Sequence, residues 1–465
     1  MLAGAVRPNR SVICTKGRRT PHADQSLEHF RLIVVTTQLT ERELREPKFP
    51  CAFVILLLSS VVSASRCLSQ ELPRPSLAGA QAAAARRGAA LEMARPAFRV
   101  GPTTWSLGAG LGLQANDNIQ LASTDPKSDC AFHPEIHTRM LCPISDQNAL
   151  NMAFRAGYSA YVVHPELNHF YIGPESKLNF EIYAGDCRVD LHDRCSLLEN
   201  NYEDPTVVGS GDYTRLENAV GTGVLWDLNK ALLSLGYDHI NYISYSGDNA
   251  TPSAFPDAES DVLISTAGYR LKPGLLAGLE LGGTLFRYAP SGSPHLFDAL
   301  QWTVGPFVDV QLSQYLTCRA GAGYSAYAPQ GNNTSPQAED NYGLYAHIAL
   351  THELNQFVDY TLSGGKNITF ALYGGTVDLS YVRLRTNWHL VRKCGIAISL
   401  SYEHGTDVAV GGESFDRVGP AFSFDRSLTE GLTASLEYQF YQRDSNLPDH
   451  GYNTNIIMAR LIYEF

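Results

Sequence analysis

After its first seventy positions the 465-residue chain has no run of eighteen apolar residues, which excludes spanning helices. Charged residues are scarce, at 18% against a usual quarter. Its 39 glycines follow no Gly-x-x repeat, so no collagen-like rod is present. Nine cysteines form neither a CxxC pair nor a Cys/His ligand spacing, and no metal or other cofactor is expected. Basic charge is also short. The first 65 residues hold nine of the 36 Lys/Arg and five of the 47 Asp/Glu, which leaves a formal −15 on the remainder. That balance argues against nucleic acid as a partner.

What is present is aromatic: 10% Phe, Trp and Tyr, with 24 Tyr. A chain that is aromatic-rich and charge-poor, yet lacks long apolar runs, has an apolar residue at every second position. Transmembrane barrels and large soluble sandwiches share that composition. The last stretch, Asn453 to Phe465, displays the pattern fully. Ile457, Ala459, Leu461, Tyr463 and Phe465 fall on one face, and Thr454, Ile456, Met458, Arg460, Ile462 and Glu464 on the other.

The same alternation begins at Val100 and does not revert. Trp105, Leu107, Ala109, Leu111 and Leu113 alternate with Ser106, Gly108, Gly110, Gly112 and Gln114. Leu432, Ala434, Leu436, Tyr438 and Phe440 oppose Thr433, Ser435, Glu437, Gln439 and Tyr441. The second face of each segment is Gly, Ser, Arg, Asp and Glu, a wet face rather than a second packed core. Short turns such as 227–230, 271–274 and 427–430 alternate with longer Gly/Ser/Asn/Asp-rich segments such as 247–258, 290–298 and 445–452. Short turns on one rim and long loops on the other are the layout of an outer-membrane barrel, with the turns periplasmic. All four Trp (Trp105, Trp226, Trp302 and Trp388) share the apolar face, and three sit beside a short turn or the start of the first strand, where an interfacial girdle belongs.

These segments predict an all-β fold, a transmembrane antiparallel up-and-down barrel of about eighteen strands from 103–115 to 453–465. The pair 175–184 and 187–197 is split because the apolar phase flips at Gly185; a bulge there would merge the pair, and sixteen strands is the alternative. The remaining segments are assigned as follows. Residues 1–50 are an extension upstream of the true start or a disordered one. Cys51 to Ser65 is the hydrophobic region of a secretory signal, too short to span and ending in Ser63–Ala64–Ser65. Residues 66–99 are an Ala/Arg/Pro-rich periplasmic lead-in with one marginal helix, and 100–465 is the barrel.

The closing strand, ending in aromatic–x–Phe, resembles that of bacterial outer-membrane β-barrels. The resemblance implies that Tyr463 and Phe465 belong to a signal read by the barrel-assembly machinery. Trp105 to Ile119, Ser128–Asp129, Tyr161 to Asn168 and Asp190 to Arg194 also resemble an outer-membrane β-barrel porin family, over about 100–465.

Several polar groups need weighing. Asn116, Asp117, Asn118, Asp125 and Asp129 supply the oxygens of a loop cation site, but such clusters at a strand end more often build turns. His133, Glu135, His137 and Arg139 line one wet face, as an anion site or as the mixed charge of a pore wall. Ser325, His347 and Asp359 share the wet phase, and nothing in the sequence brings them together as a catalytic set. Cys187 and Cys195 are the candidates for a disulfide, while Cys318 and Cys394 are in phase with the apolar face and read as small lipid-facing groups.

The functional expectation is a porin-like channel, not an enzyme, passing small hydrophilic solutes or ions passively across the outer membrane. Its pore-lining candidates are Glu135, Arg139, Arg155, Glu217, Glu280, Asp309, Arg319, Asp359, Arg417 and Glu437, with weak cation selectivity set by local charged rings. The expected partners are outer-membrane lipid, the assembly machinery and the solutes. A polysaccharide-export or adhesion barrel is the alternative, and an outer-membrane enzyme barrel stands third.

Overall fold

The computed structural model describes residues 76–78, 81–84, 86, 97–199, 204–208, 214–245, 257–288, 298–330, 341–370, 376–390, 393–407 and 412–465. The chain divides into two compact units, Met1–Glu71 and Leu72–Phe465, and every described residue belongs to the second. The extension 1–50, the signal-like stretch 51–65 and much of the lead-in therefore lie outside the described residues.

The strands are β1 (Phe98–Val100), β2 (Thr103–Asn116), β3 (Asp129–Pro143), β4 (Ala149–Tyr161), β5 (His169–Ile172), β6 (Lys177–Ala184), β7 (Cys187–Glu199), β8 (Thr214–Leu228), β9 (Ala231–Tyr245) and β10 (Ala258–Lys272). They continue as β11 (Leu275–Tyr288), β12 (Asp298–Gln311), β13 (Leu316–Gln330), β14 (Asn341–Asn355), β15 (Val358–Phe370), β16 (Thr376–Leu390), β17 (Cys394–Asp407), β18 (Ser414–Ser427), β19 (Leu432–Ser445) and β20 (Tyr452–Glu464). A single-turn 3-10 helix, Pro165–Leu167, precedes β5.

Strands consecutive in sequence pair antiparallel, except β5 and β6, and β20 pairs with β2 from Gly108↔Glu464 to Asn116↔Ile456, which closes the sheet. β1 is a short flap on the start of β2. β4 pairs with β5 along Ala156–Ser159 and with β6 along Ala149–Ala153, so β5 and β6 are two pieces of one barrel position, separated by Gly173–Ser176. The result is a closed antiparallel barrel of eighteen positions. Closure removes the unpaired edges that a sheet of this size would otherwise present.

The fourth position starts at His169, earlier than the 175 expected from sequence, because the interruption at Gly173 breaks the alternation. The split at Gly185 is real. Ala184 faces Cys187 across a two-residue turn, in which Gly185 takes φ +62, a conformation glycine adopts without strain. The rim nearest Thr103 and Glu464, called here the near rim, carries the short turns; the far rim carries the long connections.

Two observations show which face is concave. Tyr345 on β14 donates to Glu280 on β11, and Gln301 on β12 donates to the Ile368 carbonyl on β15; groups three strands apart meet only across the inside of a curved sheet. Glu280 and Gln301 carry the polar phase, so the polar face is the lumen. The convex face carries Leu111, Ile136, Leu279, Leu344 and Phe170, all exposed. The described cysteines, Cys130, Cys142, Cys187, Cys195, Cys318 and Cys394, are free and all hold convex phase. Cys187 and Cys195 stand eight residues apart on one extended strand, about 26 Å, which rules out the disulfide between them.

Aromatic rings edge the convex belt at both rims. Near-rim Trp105 stacks on Phe98 at 6.1 Å, with Trp226 and Trp388 at corresponding depth on their strands. Toward the far rim, Trp302, Tyr324 and Tyr342 form a chain of contacts at 5.4 and 6.2 Å. Beside them in height, the Tyr237, Tyr402 and Tyr438 hydroxyls donate to Asp261, Asp416 and Asn455. Each of these rings has an apolar body on the belt and a polar tip at its edge.

Candidate functional site: the lumen and its constriction

The lumen wall follows from the period-two pattern, but what fills it comes from three far-rim segments folded inward. The first is the connection after β2, Asp117–Ser128. Its turn is fixed by Asn118, whose side-chain nitrogen donates to the Ala122 and Asn453 carbonyls and whose Oδ1 accepts from the Ala122 amide. Ile119 then packs with Ala131, Tyr161 and Leu167, and Leu121 packs with Val207, Tyr441 and Tyr452. The second segment is Asp204–Val208, between β7 and β8. Val207 is fully buried in that cluster, and the Pro205 carbonyl accepts from Arg443 Nε at 3.3 Å. Together these two segments join the β7–β8 and the β19–β20–β2 parts of the far mouth.

The third is the end of the β15–β16 hairpin, where the sequence pattern misleads. Ile368 and Phe370 carry the phase of Tyr360 and Leu362, which predicts a convex position. Yet Ile368 is buried against Ala299 and Tyr327, both lumen-phase residues. The register supplies the reason. Pairing of β14 with β15 stops at Ala346↔Lys366, while β15 stays paired with β16 as far as Phe370↔Thr376. Beyond Lys366 the hairpin leaves the wall and folds inward over β14, so its outward phase meets the lumen face of β11–β13. Phe370 stacks on Phe286 at 4.8 Å, and Gln301 Nε2 donates to the Ile368 carbonyl at 2.8 Å. A cavity of about 240 Å³ remains between hairpin and wall, lined by Asp204, Arg215, Tyr242, Tyr288 and Phe370 among others.

Every pore-lining candidate singled out from the sequence holds lumen phase, but few stand alone. Glu135 accepts from Tyr171 at 2.8 Å, and Gly157 opposite leaves the space for that ring. Arg139 lies 3.8 Å from Glu464, and Arg155 pairs with Glu175 at 2.5 Å. Glu217 accepts from Arg215, whose guanidinium lies over the Tyr242 ring. Glu280 gathers Tyr345, His347 and Arg319 at 3.0, 3.4 and 3.8 Å. Glycine at 305 and 323 admits the Tyr345 ring there, since a Cβ at either would collide with it. Asp309 faces Arg319 in the β12–β13 register. Asp359 accepts from Asn387 at 2.8 Å, and Glu437 from Gln439 at 2.5 Å.

Arg417 departs from the picture of a ring charge facing water. It is 2% exposed, bonded through Nε and Nη2 to Glu403 at 2.7 and 2.6 Å, and lies over the Tyr441 ring. Arg383 donates to the other oxygen of Glu403 at 2.7 Å. Arg443, 1% exposed on its side chain, ties Glu413, the His450 carbonyl and the Pro205 carbonyl together. Glu403, Arg383 and Arg443 were visible only as wet-phase residues; their pairing depends on neighbours 14 to 30 positions away or more.

A further wall cluster was half legible. In the Asp190–Arg194 stretch, His192 Nδ1 meets Asp190 at 2.8 Å, and its Nε2 meets Asp238 on β9 at 2.6 Å. The oxygen-rich loop residues act as turn fasteners. Asp129 accepts from the Val163 and His164 amides, and Asp117 from the Asn455 amide and side chain. Ser325, His347 and Asp359 do not converge: His347 Nδ1 turns to Glu280 and Asp359 to Asn387. His133 contacts Ser159 at 3.2 Å in a cavity of about 160 Å³, shared with Arg155 and Arg460.

No family model and no curated protein matches the chain. Solved structures are similar to it over most of its length. The chain and OccAB2 of Acinetobacter baumannii share 12% identity, with 79% of this chain and 98% of that one covered at a TM-score of 0.46. OpdL of Pseudomonas aeruginosa shares 11%, with 79% and 99% covered at 0.45. A BenF-like porin from Pseudomonas fluorescens Pf-5 shares 9%, with 78% and 99% covered at 0.44. The fold assignment stands on the strand order and register above.

Proposed function

We propose that the protein is an outer-membrane channel through which small hydrophilic solutes or ions diffuse passively. The observation that carries this reading is the division of one closed barrel into an apolar convex belt and a polar, charge-lined lumen. So many exposed Leu, Ile and Phe side chains on one belt would make a soluble protein aggregate, and they match a hydrocarbon layer. Strands of 13 to 15 residues exceed the about 9–11 tilted residues that cross such a layer. The near rim, with its short turns, is then periplasmic.

The inward segments narrow this lumen at the far mouth, so passage is governed by side chains there rather than by barrel width. Opposed charges along the wall cross-brace the strands and keep the lumen hydrated. The test is conductance across a planar bilayer by the refolded, heat-modifiable protein. Discrete conductance steps are expected. A barrel that inserts and never conducts would overturn the channel and favour an export or adhesion barrel.

A further inference from the structure

The lead-in reaches the near mouth. The Leu77 amide donates to Asp227 Oδ2 at 2.8 Å, and Asp227, also held by Arg270, has lumen phase beside the near-rim turn that ends β8. Arg86 Nη1 donates to Glu181 Oε1 at 2.6 Å, and Glu181 has lumen phase on β6, three residues in from Ala184. The two anchors thus lie on strands flanking β7. Between them Ala78 is fully buried, Ala83 is 3% exposed, and Gln81–Ala84 and Arg86 are helical.

So short an Ala-rich helix has little stability of its own in water, and its bonds to Asp227 and Glu181 supply what isolation would lack. A helix is about 10 Å across with side chains, enough to narrow the mouth of a lumen it enters. Its seat is nonetheless weak. Alanine buries little apolar surface, and Arg86 is half exposed, so water screens its ion pair. The sealed Arg417–Glu403 pair shows how a permanent contact in the same lumen is built.

We propose that the described residues of Ser76–Arg86 form a displaceable stopper of the near mouth, seated on Asp227 and Glu181. This rests on the channel reading. The experiment uses the full chain, with hydrogen exchange of the Ser76–Arg86 stretch and single-channel conductance measured on the same preparations. Wild type is compared with Arg86→Glu, with Leu77→Pro, which removes the amide donor, and with the swap Arg86→Glu/Glu181→Arg. The expected result is protection in wild type that is lost in both single variants, with mean current rising at least twofold, and the swap restoring both readouts. Exchange in wild type at the rate of a free peptide would overturn the stopper. So would a conducting wild type whose current the single variants leave unchanged. Protection that follows the swap in a barrel that never conducts would uphold the seat and sink the channel reading alone.

Discussion

Arg417 and Glu403 face each other in the β17–β18 register and are both sealed from solvent, with side chains 2% and 1% exposed. Two charge-assisted bonds to one carboxylate oxygen, with Arg383 on the other, compensate for the desolvation of the pair. Removing one partner leaves a buried charge. Arg417→Met is expected to lower stability by about 3–5 kcal/mol, and Arg417→Met with Glu403→Gln by less. The measurement is the denaturant midpoint of the heat-modifiable form. Equal losses in the single and double variants would contradict the pairing.

The convex face should refuse charge. Leu436 stands exposed on β19 next to lumen-phase Ser435. Arginine at a barrel's lipid-facing midplane costs about 2–4 kcal/mol, so Leu436→Arg should depress membrane-inserted yield while Ser435→Arg is tolerated. Equal yields would remove the case for a bilayer around this belt.

Phe370 holds the inward hairpin through its stack on Phe286. Phe370→Ala forfeits about 0.5–1.5 kcal/mol of ring–ring contact beyond its burial. Single-channel recordings should then show larger and noisier currents, with insertion unchanged. Identical traces would mean that the hairpin does not limit passage.

The far-mouth fastening should weaken in acid. Glu413 lies in the β17–β18 connection, outside the strands. Although burial pushes its carboxyl upward, the bonds from Arg443 and Ser445 outweigh this and hold it below the ordinary value of 4.5. A depressed carboxyl contributes stability that is full above its unfolded value and is lost as pH falls through the folded one. Glu413→Gln should therefore melt below wild type at neutral pH, with the gap closing only beneath 4.5. A gap that is constant with pH would refute the linkage.

Selectivity should follow local lumen charge. Asp309 and Glu437 are lumen-phase and partly exposed, and a charge acts over about 10 Å at 0.1 M salt. Neutralising either should shift the reversal potential under a salt gradient toward anions, from a weakly cation-selective wild type. No shift in either variant would place the selective ring elsewhere.

The sequence by itself determined whatever depends on period two and local turn chemistry. The convex and concave assignments of Leu436 and Glu437, the turn at Gly185, the rim parity and the eighteen positions all follow from side chains alternating across a pleated backbone. Such alternation is a property of neighbouring residues and needs no distant partner. Tertiary structure decided what the lumen contains. Ile368 has outward phase and lies inside, because β14 stops pairing at Lys366 while β16 does not. Arg417 was legible as a wet-face residue, but only the approach of Glu403 and Tyr441 seals it from water. Leu121 and Val207 meet although some 86 residues separate them, and Leu77 reaches Asp227 across 150. The reason is physical: closing a sheet brings sequence-distant strands to face one another across a common interior, and which groups meet there depends on register, strand ends and loop entry rather than on any local pattern.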